Sequence, residues 1–255
     1  MYRRKKIKRI IVAIGGGENG RLLKNGVYAS YDTEKIDKEI VSLTNKKNPN
    51  YLFICHALFP NTCFEESYYQ TMTKIYGDML KCNCDILYSN ELTDLSIVEK
   101  KLSWADIIYE GGGNTANMID LWQKTGFDKK LFYEWSKGKI ICGISAGAVC
   151  WFKSANSGSK ENSFTSVECL NWLNYHFTPH CDEIGRKEST KIQLKDKDVI
   201  GIMISNGCAI EIVDNKFKII KESPNSKAYK AFWKNNEYYE IELNNLTMEK
   251  IDELL

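Results

Sequence analysis

Short apolar runs alternate with helix-patterned stretches along the chain as far as Ser145, and this alternation constrains the fold more than any other feature. Residues 9–14 (RIIVAI), 51–55 (YLFIC), 85–88, 105–109 (ADIIY) and 139–144 (KIICGI) read as strands. Between them, residues 33–43, 65–80, 95–102, 115–125 and 129–137 carry helical patterning; in the first of these Ile36, Ile40 and Leu43 fall on one face. Parallel strands need a long crossover, usually a helix, and such helices cover both faces of the sheet. A strand covered on both faces has no solvent side, so it reads as an unbroken apolar run. The expectation is an α/β chain with a doubly wound, mostly parallel sheet. Residues 199–204, 209–213, 216–220 and 238–243 look like shorter strands near Asn/Gly turns, and are expected to finish that sheet with C-terminal antiparallel additions. No repeat, low-complexity tract or linker interrupts the chain, so residues 1–255 are read as a single domain.

Composition removes several classes of function. At 43% hydrophobic and 27% charged, the 255 residues suit a packed core. A net charge of +2 gives no reason to expect a nucleic-acid partner. The basic cluster at residues 3–9 runs straight into the first apolar segment and reads as its solvated approach. No apolar stretch nears the roughly 18 residues of a membrane span. The first apolar run is also too short for a signal peptide and is ended by Gly15, Gly16 and Gly17. Nine cysteines are an odd count, and Cys55 and Cys142 lie inside apolar runs, so a reduced, cytoplasmic chain is expected. Cys82 and Cys84 have no second pair at finger-like spacing, so no metal or other cofactor is expected.

Chemistry gathers where strands end, as it does in open α/β sheets. Gly143-Ile144-Ser145-Ala146-Gly147 follows the KIICGI strand directly and precedes the helix-like AVCWF. This is G-x-S-x-G in the strand–turn–helix setting of a nucleophile elbow, where the turn exposes the serine hydroxyl. The amide of Ala146, at the helix start, is a candidate oxyanion donor. After the ADIIY strand, Gly111-Gly112-Gly113-Asn114-Thr115 lets backbone amides approach a ligand and offers a second donor from Gly112 or Gly113. Asn114 is a candidate helix cap or substrate contact. No Gly-Lys-Ser/Thr follows, so this is not a P-loop, and Gly15–Gly17 with Gly20 is a loose match to a dinucleotide fingerprint. A serine nucleophile needs a base, and the candidates are His56, His176 and His180. His180 is favoured, because it follows Pro179 and precedes the acids Asp182 and Glu183.

Taken together, Gly111–Thr115, Gly143–Ala148 and Pro179-His180 resemble the peptidase E family of serine peptidases, which includes aspartyl dipeptidases and has cyanophycinases as distant relatives. The likeness runs from about Arg9 to Val213 in order and spacing. It implies a class I glutamine amidotransferase-like, flavodoxin-like fold and metal-free hydrolysis of short peptides through an acyl-enzyme; a monomer or homodimer acting on a small peptide is expected. Ser145 would be the nucleophile and His180 the base, with Gly112 or Gly113 and Ala146 holding the oxyanion. One feature departs from the family, whose members tend to carry an acid in the turn after Gly201-Ile202. Here that turn reads Met203-Ile204-Ser205-Asn206-Gly207. Asn206 or Ser205 is then the candidate orienter of the base, with Asp182, Glu183 or Glu161 as acids that could take the place. A neutral orienter implies slow turnover, and an acid restored at 206 or 205 is expected to raise it. Arg186 is a candidate fork for an acidic substrate side chain. An amidase or esterase on another acyl substrate, or an impaired binding homologue, are the rival readings.

Overall fold

The computed structural model describes residues 7–21, 23, 25–160 and 163–251. Its strands in chain order are β1 (Ile10–Ile14), β2 (Asn50–Ile54), β3 (Asn83–Leu87), β4 (Ile107–Glu110), β5 (Ile140–Ile144), β6 (Phe152–Lys160) and β7 (Ser163–Glu168). They continue with β8 (Leu173–Thr178), β9 (Gly201–Ile204), β10 (Cys208–Val213), β11 (Lys216–Lys221), β12 (Ala228–Lys234), β13 (Glu237–Glu242) and β14 (Glu249–Lys250). The helices are α1 (Glu34–Ser42), α2 (Glu65–Thr73), α3 (Leu95–Trp104), α4 (Thr115–Thr125), α5 (Phe127–Ser136), α6 (Ala146–Val149) and α7 (Arg186–Leu194).

The five apolar runs form one parallel block in the order β1-β5-β4-β2-β3. Each β1 side chain is buried, but to alternate sides: Ile11 and Ala13 enter one core, Ile10, Val12 and Ile14 the other. That two-sided burial is the physical reason these segments lack a polar face. On the free edge of β1 the sheet continues antiparallel through β10, β11 and β14, as the later strand pattern implies.

The remaining strands correct the single-sheet expectation. β9 and β13 do not join the first sheet; they belong to a second, six-stranded one ordered β13-β12-β9-β8-β6-β7. Its centre, β6-β8-β9, is parallel, while β7, β12 and β13 are added antiparallel. β6 and β7 escape a search for apolar runs because their sequences, FKSANSGSK and SFTSVE, are polar. Ser154 and Asn156 of β6 are nonetheless buried against partners. Ser154 Oγ lies 2.9 Å from His176 Nδ1, and Asn156 Nδ2 donates to Thr190 Oγ1 at 2.9 Å. One apolar cluster takes residues from both sheets, including Ile11 and Ile141 from the first and Phe152, Phe177 and Ile202 from the second. The carboxyl ends of β1, β4, β5, β8 and β9 therefore meet in one region. Among the described residues no helix is long and apolar enough to cross a membrane. The basic cluster at 3–9 lies mostly outside the described residues.

Candidate active site

Ser145 closes β5 and caps α6 with φ 56° and ψ −115°, a backbone conformation that costs a non-glycine residue about 1–3 kcal/mol. Neighbouring hydrogen bonds hold it there. The Ser145 amide donates to Ile14 O at 3.0 Å, and its carbonyl accepts from Ala148 and Val149 at 2.9 and 3.1 Å. The flanking glycines are needed for close approach: a Cβ on Gly147 would lie 2.2 Å from Glu110 O, and one on Gly143 2.4 Å from Gly147 O. The elbow is thus wedged between β1 and β4, with the serine at its tip.

His180 follows β8 and also has positive φ, 49°. Its Nε2 lies 2.9 Å from Ser145 Oγ, and its Nδ1 lies 2.7 Å from Asn206 Oδ1, in the turn after β9. Of the two candidate orienters, the structure brings Asn206 to the imidazole. Ser205 is turned away, its hydroxyl donating to Asn206 O and accepting from the Lys227 amide. Asp182 does not touch His180 either: its carboxylate accepts from the Asn206 amide at 2.9 Å and from Asn206 Nδ2 at 3.0 Å. Glu183 binds Arg186 instead, and Glu161 lies outside the described residues. The other histidines are core groups. His56 Nε2 meets Leu87 O at 2.8 Å and its Nδ1 accepts from Trp122 Nε1, while His176 faces Ser154. Burial holds both imidazoles down to about 4.

The first glycine run has a role that sequence reasoning missed. Gly15 O accepts from the His180 amide at 3.0 Å, and Gly16 O accepts from Gly207 at 2.9 Å. A Cβ on Gly16 would sit 2.2 Å from both His180 Nδ1 and Asn206 Oδ1. The turn after β1 is the floor on which the imidazole–carboxamide pair rests. The signal was the glycine run at the end of an inner strand, which suits backbone packed on a side chain as well as backbone packed on a phosphate.

Gly113 and Ala146 line a cavity of about 160 Å³ together with Ser145, His180, Glu183 and Arg186. Gly112 is beside Ser145, but its amide donates to Tyr68 Oη at 3.3 Å and it borders a separate cavity. Asn114 contributes an N-cap, its Oδ1 accepting from Asn117 at 3.0 Å; it does not line the cavity with Ser145. Beneath the glycine loop, Glu110 Oε1 accepts from the Ala57 amide at 3.1 Å, and burial pushes its carboxyl well above the ordinary range. Arg186 is buried, with Nη2 and Nε donating to Glu183 Oε2 at 2.6 and 3.2 Å and the guanidinium 4.0 Å from the Phe164 ring centroid. The cavity's cation therefore already has a carboxylate partner. Among the described residues no group of His, Cys, Asp and Glu is arranged to hold a metal ion.

A mostly parallel α/β sheet whose inner strand ends in a serine turn facing a histidine is the arrangement of a hydrolase. Residues 25–220, more than half of the chain, match the model of peptidase family S51, and the chain belongs to that family, the peptidase E family its motifs resemble. It is 28% identical over 236 residues to the uncharacterized peptidase YgaJ of Bacillus subtilis (strain 168), spanning 91% of this chain and 96% of the relative. It is 32% identical over 130 residues to the uncharacterized peptidase Lin0382 of Listeria innocua serovar 6a, spanning 48% of this chain and 61% of that one. The fold is similar to that of a peptidase from an acI-B1 Actinobacterium, with a TM-score of 0.69 at 17% identity, covering 94% of this chain and 96% of that structure.

Proposed function

We propose that this chain is a serine peptidase that hydrolyses dipeptides or short peptides through an acyl-enzyme. The reading is carried by the unbroken contact from Ser145 Oγ to His180 Nε2 at 2.9 Å and from His180 Nδ1 to Asn206 Oδ1 at 2.7 Å. Both distances are those of working hydrogen bonds. In this mechanism Ser145 Oγ attacks the scissile carbonyl and passes its proton to His180. The imidazolium then protonates the leaving amine, and a water activated by His180 hydrolyses the ester. The amides of Gly113 and Ala146, which have no protein acceptor among the described residues, take the tetrahedral oxyanion. Arg186 is the candidate fork for an acidic N-terminal side chain, and Glu183, whose side chain is 45% exposed, gives way to it. An odd cysteine count with several thiols in the core suits the cytoplasm.

A fluorophosphonate probe tests the nucleophile. Wild type is expected to be labelled and Ser145→Ala is not, with both folded; equal labelling overturns the assignment. A panel of Asp-X, Glu-X and neutral dipeptides tests the substrate. Hydrolysis of simple esters with no cleavage of any dipeptide would move the activity to a non-peptide acyl substrate.

A further inference from the structure

The carboxylate that the resemblance to peptidase E leads one to expect beside His180 stands one contact further out, on the far side of the Asn206 side chain. We propose that Asp182 is a positioning residue, which sets the protonation pattern of His180 through the side chain of Asn206. The inference rests on the reading of Ser145 and His180 as nucleophile and base.

An ionised carboxylate only accepts hydrogen bonds. Asp182 Oδ1 accepts from the Asn206 backbone amide at 2.9 Å, so the atom facing Oδ2 at 3.0 Å must be the other donor, Asn206 Nδ2. The reverse carboxamide orientation would set an amide oxygen against a carboxylate oxygen. With Nδ2 committed outward, Oδ1 points inward to His180 Nδ1 at 2.7 Å. An oxygen there accepts, so the imidazole proton sits on Nδ1 and the Nε2 lone pair faces the Ser145 hydroxyl at 2.9 Å. This is the tautomer a general base requires. No proton passes through the amide; Asp182 acts by orientation.

Two substitutions separate this relay from ordinary loop support. In Asp182→Asn the fixed backbone donor of Asn206 claims the new amide's oxygen. The new NH₂ then faces the Asn206 side chain, which turns its own oxygen outward and its NH₂ toward His180. The imidazole proton moves to Nε2, where it cannot accept from Ser145. Adding Asn206→Asp restores the pattern, because the new carboxylate accepts from the amide introduced at position 182 on one side and from His180 Nδ1–H on the other. Asn206→Asp alone opposes two carboxylates about 3 Å apart, so one of them must hold a proton. This reverses what sequence reasoning expects of an acid restored at 206.

The test measures second-order fluorophosphonate labelling of the four proteins, with ¹⁵N NMR of the imidazoles. Three histidines keep the spectrum assignable, and His56, whose Nε2 faces the Leu87 carbonyl, supplies the opposite tautomer as an internal standard. Wild-type His180 is expected to be protonated on Nδ1. Asp182→Asn is expected to label about 10²- to 10⁴-fold more slowly, the upper figure being the loss seen when a triad aspartate becomes asparagine in another serine protease. The double variant should recover to within about tenfold of wild type and label faster than Asn206→Asp. Labelling of Asp182→Asn at the wild-type rate, or a double variant no faster than Asp182→Asn, overturns the relay. A wild-type His180 protonated on Nε2 overturns it without any variant, should Asp182→Asn fail to fold. An unlabelled wild type defeats the peptidase reading alone, since the tautomer still reports on Asp182.

Discussion

Replacing Gly16 by alanine should displace His180, the proposed base, while sparing the fold. The new methyl would lie 2.2 Å from His180 Nδ1 and Asn206 Oδ1 and 2.3 Å from His180 Cε1, where ordinary contact begins at 3.4 Å. The difference, about 1.2 Å, must be supplied by movement. The backbone of the turn is held by the bonds from His180 and Gly207 to Gly15 and Gly16. The ring and the carboxamide are the ends of flexible side chains, and they yield first. Their displacement breaks the 2.7 Å bond between them and draws Nε2 away from Ser145. A misplacement of about 1 Å costs on the order of 10²-fold in rate, and complete loss of a general base about 10²- to 10⁴-fold. We expect kcat/KM on the best dipeptide, and the rate of fluorophosphonate labelling, to fall by about 10²- to 10³-fold. Overpacking costs about 1–3 kcal/mol of stability and a side chain at the Gly16 φ of 159° about 1–3 kcal/mol more, against about 5–15 kcal/mol for a typical folded domain. Urea denaturation and labelling on the same preparation decide it. A folded Gly16→Ala protein that labels within about threefold of wild type would refute the idea that this turn seats the base.

Other perturbations follow from the same geometry. Ser145→Gly relieves the backbone at φ 56° whereas Ser145→Ala does not, so the glycine variant is expected to be the more stable of the two by about 1 kcal/mol; equal urea midpoints would deny the strain. His176 is fully buried and held down to about 4 from its ordinary 6.5. The unfolded chain therefore takes up this proton first, and stability present above pH 6.5 is lost as pH falls toward 4. At about 1.4 kcal/mol per pH unit, wild type should lose about 3 kcal/mol relative to His176→Gln across that window. Parallel curves of stability against pH for the two proteins would refute it.

What the sequence disclosed follows from how each element is stabilised. β1, β2, β4 and β5 are buried on both faces by apolar side chains, so composition alone reveals them. β6 is stabilised by buried Ser154 and Asn156 making specific hydrogen bonds, which no hydropathy pattern records, and with it the second sheet went unread. The elbow was legible because its constraint is local: strand, glycine, serine, glycine and helix are consecutive, and the backbone geometry belongs to those residues. The approach of His180 to Ser145 was legible through its proline and its place in the order of motifs. The partner of the base was not, because it is chosen by contacts between turns far apart in the chain. His180 and Asn206 meet only where β8 and β9 lie side by side, and Gly16 closes that meeting from the end of β1. Reading position 206 by itself shows a missing acid. Reading it in place shows an amide with one face on an imidazole and the other on the carboxylate of Asp182. The charge of this site therefore belongs to a pair of residues, and the two should vary together: a chain with an acid at 206 has no use for an acid at 182, and is destabilised by one.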